Sequence, residues 1–96
     1  MARIERLPVD ELPGRDDVQV LDVRERSEWD AGHLDGSVHT PWHDIDELPS
    51  GLDPERPIAV VCASGQRAAV AASLVARAGA RRVIHVVDGG VPSLLE

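Results

Sequence analysis

Short apolar runs alternate along the chain with breaks marked by proline, glycine or acidic residues, and the length of each run separates strands from helices. Val18-Gln19-Val20-Leu21-Asp22-Val23 is rich in β-branched residues and follows Pro13-Gly14 and two aspartates, which predicts a turn and then a central strand. Ser27 is placed to cap a short helix through Trp29, Glu28 lies near the positive end of that helix, and Gly32 can stop it. Gly36-Ser37-Val38-His39-Thr40-Pro41 predicts a short strand ended by proline, and residues 44–48 a helical turn before the Pro49-Ser50-Gly51 break.

The pattern is stronger in the second half. Pro57 leads into Ile58-Ala59-Val60-Val61, an apolar run of buried-strand length, and the alanine-rich residues 68–78 end at Gly79 as a helix would. Val70, Leu74 and Ala78 share a face at helical spacing, flanked by Ala71 and Val75, and are expected to face the sheet, with Arg77 in solvent. Val83-Ile84-His85-Val86-Val87 predicts the next strand, and Asp88-Gly89-Gly90 turns the chain into a short terminal segment, residues 91–96. Strand, helix, strand implies a parallel crossover. The whole alternation predicts an α/β fold, an open, mostly parallel sheet flanked by helices on both faces, with ligands at the carboxyl ends of the strands.

Composition adds limits to this picture. The 96 residues suit one domain, residues 1–96, large enough to bury a core without staples. One cysteine allows no internal disulfide, so no oxidising compartment is needed and the cytoplasm is the expected location. The first residues, Met1-Ala2-Arg3-Ile4-Glu5-Arg6, hold no apolar stretch of signal-peptide length, and no run approaches the ~18 apolar residues of a membrane span. The net charge of -7 comes from scattered acids and argues against nucleic acid and anionic membranes as partners. It leaves a small anionic substrate open, because screening over ~8 Å makes local groups outweigh distant ones. His39, His43 and His85 have no second ligand at metal spacing, so no metal and no cofactor is predicted.

The chemistry centres on Cys62-Ala63-Ser64-Gly65-Gln66-Arg67, which lies between a predicted strand and a predicted helix and holds the only cysteine. The first amides of a helix lack internal partners and its dipole is positive there, so an anion at the turn is stabilised. Gly65 allows the chain to curl with its N–H groups pointing inward, and such a nest favours thiolate, the nucleophilic form of cysteine. Cys62 is therefore the candidate nucleophile, and Ala63, Ser64, Gly65, Gln66 and Arg67 are the candidate substrate-binding residues, through their amides and the Arg67 guanidinium. The plainer alternative is a cysteine serving as a small buried apolar residue.

The same six residues resemble the active-site loop of a single-domain rhodanese, a sulfurtransferase of the rhodanese-like family. Leu21-Asp22-Val23-Arg24, Glu28-Trp29 and Gly32-His33-Leu34-Asp35-Gly36-Ser37 resemble the family's N-terminal signature in order and spacing. Gly89-Gly90-Val91-Pro92 resembles its closing turn, with Leu94 where a tryptophan is common, and the likeness runs over residues 4–92. The resemblance implies a Cys62 persulfide, loaded from thiosulfate or a similar small anionic sulfur donor and emptied by a thiol or cyanide acceptor. A sulfur-relay protein is a further implied partner. A solitary cysteine suits passage of sulfur to an external acceptor, since no resolving thiol is at hand.

Two other readings stand beside this one. A persulfide-binding or partner-docking module would keep the fold without turnover. The related phosphatases and arsenate reductases place five residues between cysteine and arginine, whereas four intervene here, a smaller ring suited to one sulfur. Asp22 and Arg24 are candidates to support the loop, being at the carboxyl end of a neighbouring strand. As scaffold instead, Asp22 would accept backbone N–H bonds and Arg24 would pair with Glu28. His33 is read as making a structural hydrogen bond, Asp88 as an ordinary turn residue, and Trp29 and Trp42 as core or rim packing.

Overall fold

The computed structural model describes residues 3–95. Five parallel strands form one sheet: β1 (Arg3–Pro8), β2 (Gln19–Asp22), β3 (Val38–His39), β4 (Ile58–Val61) and β5 (Arg82–Val87), in the spatial order β1-β5-β4-β2-β3. Three α-helices, α1 (Arg26–Ala31), α2 (Gln66–Arg77) and α3 (Val91–Leu94), join 3-10 turns at Val9–Gly14 and Trp42–Asp44. The predicted α/β architecture is the observed one, with every strand pair parallel.

β4 is the centre of the sheet, and its four residues are completely buried, as expected of a parallel strand covered on both faces. Alternation along it divides the core. Ile58, Val60 and Cys62 join Leu21, Val23, Val83 and the α2 residues Ala68, Ala71, Ala72 and Val75 on one side. Ala59 and Val61 join Leu7, Val9, Leu12, Ile84, Val86 and Val91 on the other, beneath the first 3-10 turn and α3. The chain leaves β2 for β3 on one side and later places β4 on the opposite side, so the order reverses between β2 and β4. Their carboxyl ends therefore border the crevice where open α/β sheets bind ligands.

Several local expectations are corrected. β1 has no counterpart in the apolar pattern because it is an edge strand, and of its described side chains only Leu7 is buried while Ile4 and Arg6 lie in solvent. Glu25, not Ser27, caps α1: its carboxylate and that of Glu28 close a reciprocal capping box. The helical turn expected over residues 44–48 forms earlier, at Trp42–Asp44, because Pro41 leads into it. On α2 the sheet-facing stripe is Ala68, Ala71, Ala72 and Val75, while Val70 is 49% exposed and Leu74 half-buried. Small side chains win that face because the helix lies close to a sheet already filled by Ile and Val. Arg77 is exposed, as expected.

The turn after β5 closes the structure over the end of β4. The Val91 amide donates to the Cys62 carbonyl at 2.9 Å, and a Cβ on Gly90 would stand 1.8 Å from that carbonyl oxygen. Only a residue without a side chain fits there. Gly90→Ala should therefore cost at least the upper end of the ~1–3 kcal/mol typical of overpacking, a fall of roughly 10 °C or more in Tm. Gly14→Ala, where a Cβ meets nothing within 4 Å, should change stability by no more than ~0.5 kcal/mol. Thermal melts of the two variants check this, and equal effects would show the Gly90 contact to be unimportant.

Candidate active site

Cys62 follows the carboxyl end of β4, and residues 62–65 turn the chain directly into α2. Gly65 has φ +100°, a left-handed conformation that side chains rarely adopt, and this twist aims its amide back along the loop. The Gly65 N–H donates to the Cys62 Sγ at 2.9 Å. The first i to i-4 bond of α2 runs from the Ala69 amide to the Gly65 carbonyl, so the amides of Gln66, Arg67 and Ala68 have no intrahelical acceptor. The sulfur thus faces one engaged donor at the positive end of a 12-residue helix. Of the five amides expected to surround it, Gly65's alone is bonded to the sulfur itself. Ala63 and Arg67 are half-buried, and Ser64 and Gln66 are exposed.

Cys62 itself is fully buried. Its carbonyl is held by Val91 and its sulfur by Gly65, so the residue is fixed from both sides. His85, on β5, adds a third constraint by donating its Nε2–H to the Gly65 carbonyl at 2.8 Å. Sequence reading placed His85 only inside a strand and missed this role. The available signal was a polar residue at the inward alternation of an otherwise apolar run, in phase with Val83.

Arg67 lies at the second position of α2, but its guanidinium does not stand free. Its two terminal nitrogens donate to the two Glu28 carboxylate oxygens at 2.6 and 3.0 Å, a bidentate pair that ties α2 to α1. Glu28 Oε1 also accepts the Glu25 amide at 3.0 Å, so the same carboxylate caps α1. Its pKa falls from the ordinary 4.5 to about 2, chiefly through the hydrogen bond from Arg67 and against the opposing effect of burial. Arg67 is raised in turn, chiefly by that bond and to a smaller degree through its proximity to Cys62.

Asp22 and Arg24 are buried and bonded to each other. The Asp22 carboxylate accepts the Arg24 amide at 3.0 Å and Arg24 Nη2 at 2.8 Å, and Nη2 also donates to the Gly32 carbonyl at 2.7 Å. The expected Arg24–Glu28 pair does not form, because Asp22 lies two residues away on the same strand end and captures the guanidinium, while Glu28 is turned to Arg67. The side-chain bonds of Asp22 and Arg24 run to each other and to Gly32, the residue that ends α1, rather than to the cysteine loop. They position the helix that carries Glu28.

The remaining histidines serve the same neighbourhood. His33 Nδ1 donates to the Trp29 carbonyl at 3.0 Å, the structural bond expected of it. Its ring stacks on Trp29 at 3.6 Å, and that of His39 stacks on Trp29 at 4.7 Å. His43 bridges Glu25 and Asp44 and is raised above the usual histidine pKa, first by its hydrogen bond with Glu25. Asp88 occupies the turn as expected, with φ +63°, a conformation aspartate tolerates better than most residues. Among the described residues no group of three or more His, Cys, Asp and Glu could hold a metal ion, and no helix is long and apolar enough to cross a membrane.

Known proteins resemble this chain along most of its length. The profile of the Rhodanese-like domain matches residues 8–96. Thiosulfate sulfurtransferase GlpE of Pseudomonas putida (strain GB-1) is 30% identical over 93 residues, covering 94% of this chain and 84% of that protein. YrkF of Bacillus subtilis (strain 168), named as a candidate sulfur carrier protein, is 35% identical over 72 residues, 75% of this chain. The match spans only 39% of YrkF's length. In three dimensions, the crystal structure of a rhodanese-related protein from Thermoplasma volcanium has a TM-score of 0.75 at 29% identity, covering 95% of this chain and 90% of that one.

The lowered pKa of Glu28 carries a stability consequence with a definite sign. A carboxylate whose folded pKa lies below its unfolded one stabilises the fold fully above the unfolded value and loses that contribution as pH falls through the folded value. The window here runs from 4.5 down to about 2. Because the pair is part exposed, Glu28→Gln should cost about 1 kcal/mol at pH 7, roughly 4–8 °C in Tm. The gap between variant and wild type should narrow as pH drops below 4.5. Melting curves of both proteins between neutral and acidic pH measure it, and a gap independent of pH would contradict the ion pair.

Proposed function

The chain belongs to the rhodanese-like domain family, and from that premise we propose that it is a sulfurtransferase acting as one rhodanese-like domain, with Cys62 as the sulfur carrier. The observation that carries the reading is the Gly65 amide bonded to the Cys62 sulfur at 2.9 Å, at the start of a helix whose next amides have no intrahelical acceptor. In the first step the Cys62 thiolate attacks the outer sulfur of thiosulfate or a similar donor. A new S–S bond forms, the donor's S–S bond breaks, and sulfite leaves with the electron pair. In the second step an acceptor thiolate or cyanide attacks the outer sulfur, the persulfide bond breaks, and Cys62 returns to thiolate.

The persulfide's terminal sulfur extends ~2 Å beyond Sγ, so a second set of donors is needed further out. The unpaired amides of Gln66, Arg67 and Ala68 and the backbone of Ala63 and Ser64 are the groups available to supply it. GlpE's name, thiosulfate sulfurtransferase, supports the donor class. The four residues between Cys62 and Arg67 favour this chemistry over phosphate or arsenate, which need a wider cradle. No internal thiol competes for the sulfur, so the product leaves on an external acceptor, a small thiol, cyanide or the thiol of a relay protein.

A second reading has its own support. Cys62 is fully buried, and a sulfur held out of solvent suits a carrier that is loaded and emptied by docked partners rather than by free turnover. YrkF's name points the same way. Incubation with saturating thiosulfate followed by intact-mass measurement separates the outcomes. The wild type should gain the mass of one sulfur atom and lose it on addition of cyanide, while Cys62→Ala should gain nothing. A wild type that gains no sulfur would refute thiosulfate as donor. Loading without catalytic turnover would favour the carrier.

A further inference from the structure

Arg67 is the cysteine loop's own cation, and both of its terminal nitrogens are taken by one carboxylate. A guanidinium grips a thiosulfate or sulfonate group through the same fork that here holds Glu28 Oε1 and Oε2. Glu28 is not free to swing away without cost, since Oε1 also accepts the Glu25 amide at the start of α1. Arg24, whose charge also acts on Glu28, is bonded to Asp22 and to the Gly32 carbonyl. An anionic donor entering the loop therefore meets a guanidinium whose charge is already balanced, beside a fixed negative charge. With a pKa of about 2, that carboxylate stays ionised across the neutral range.

We propose that Glu28 is a specificity-determining residue: by occupying the Arg67 fork it disfavours dianionic sulfur donors relative to monoanionic ones carrying the same sulfane sulfur. The proposal rests on the sulfurtransferase reading of Cys62. Thiosulfate is the dianion. An alkanethiosulfonate is its monoanionic counterpart, with one oxygen replaced by a carbon. In both, the Cys62 thiolate attacks the terminal sulfur and the bond from that sulfur to the oxidised sulfur breaks. Sulfite leaves in the first case and a sulfinate in the second, each with the bonding electron pair. The attack is the same and the charge differs by one, so the ratio of the two efficiencies reports the electrostatic environment of the incoming group. Like charges brought together without full solvation are disfavoured, and the partial exposure of Glu28 and Arg67, 33% and 28%, moderates the effect by screening.

The test compares kcat/KM for thiosulfate and for methanethiosulfonate, with cyanide as the common acceptor, in wild type, Glu28→Gln and Glu28→Asp. Glu28→Gln should shift the ratio towards thiosulfate by about tenfold, mainly through a lower KM for thiosulfate, and the shift should shrink as salt is raised. Glu28→Asp keeps the charge and should stay near the wild-type ratio. Partial loss of folded protein changes both efficiencies equally and cancels in the ratio. An unchanged ratio in Glu28→Gln, with both donors still loading Cys62, would overturn the proposal and leave the sulfurtransferase reading intact. Failure of both donors to load wild-type Cys62 would overturn that reading and the proposal with it.

Discussion

The geometry of this protein depends on how the end of β4 is held. Cys62 is the first residue beyond a strand buried on both faces, and its two polar handles are captured by different parts of the chain. Val91 takes its carbonyl and Gly65 takes its sulfur. The first contact requires the turn after β5 to pass so close that Gly90 can carry no side chain, and the second requires Gly65 in a left-handed conformation. With both in place the sulfur has no freedom to drift from the start of α2. Preorganised donors of this kind need no rearrangement when charge develops on the sulfur, which is why they stabilise an anion better than water does.

Further hydrogen bonds converge on the same point from elements distant in sequence. His85 reaches up from β5 to the carbonyl of Gly65, the residue whose amide meets the sulfur. Asp22 and Arg24 close the end of β2 and hold the carboxyl end of α1 through Gly32. α1 buries no side chain of its own and would be marginal in isolation, at six residues. Its place is set by this grip at one end, by the Glu25 and Glu28 capping box at the other, and by the ion pair from Glu28 to Arg67. The helix that contributes least to the core thus carries the carboxylate that faces the site.

Charge at the crevice is arranged in closed pairs. Asp22 with Arg24 and Glu28 with Arg67 leave a local field dominated by backbone amides and the dipole of α2 rather than by free side-chain cations. Such a field would suit a small anion at the Cys62 sulfur, where the Gly65 amide donates. It offers less to a large, highly charged ligand. Nothing in the net charge of -7 announces this, because each pair sums to zero and leaves no trace in the total.

Much of this was legible in the amino-acid sequence. The runs that became β2, β4, α2 and β5 are long and apolar enough for local pattern to identify them, and the strand-to-helix position of Cys62 followed at once. β1 was not legible, because an edge strand is stabilised by pairing with β5 and needs no apolar alternation of its own. The sheet-facing stripe of α2 was misassigned to Val70 and Leu74, since helical spacing gives a periodicity but not the phase in which a crowded sheet accepts it. Side-chain partners were the least legible of all: Arg24 chose Asp22 over Glu28, and His85 found the Gly65 carbonyl twenty residues earlier. The sequence by itself determined the order of elements, the placement of the lone cysteine and its spacing to Arg67, all of which are local. Only the tertiary structure decided which charges close on each other and which backbone groups reach the sulfur, because those contacts join residues far apart along the chain that meet only when the sheet assembles.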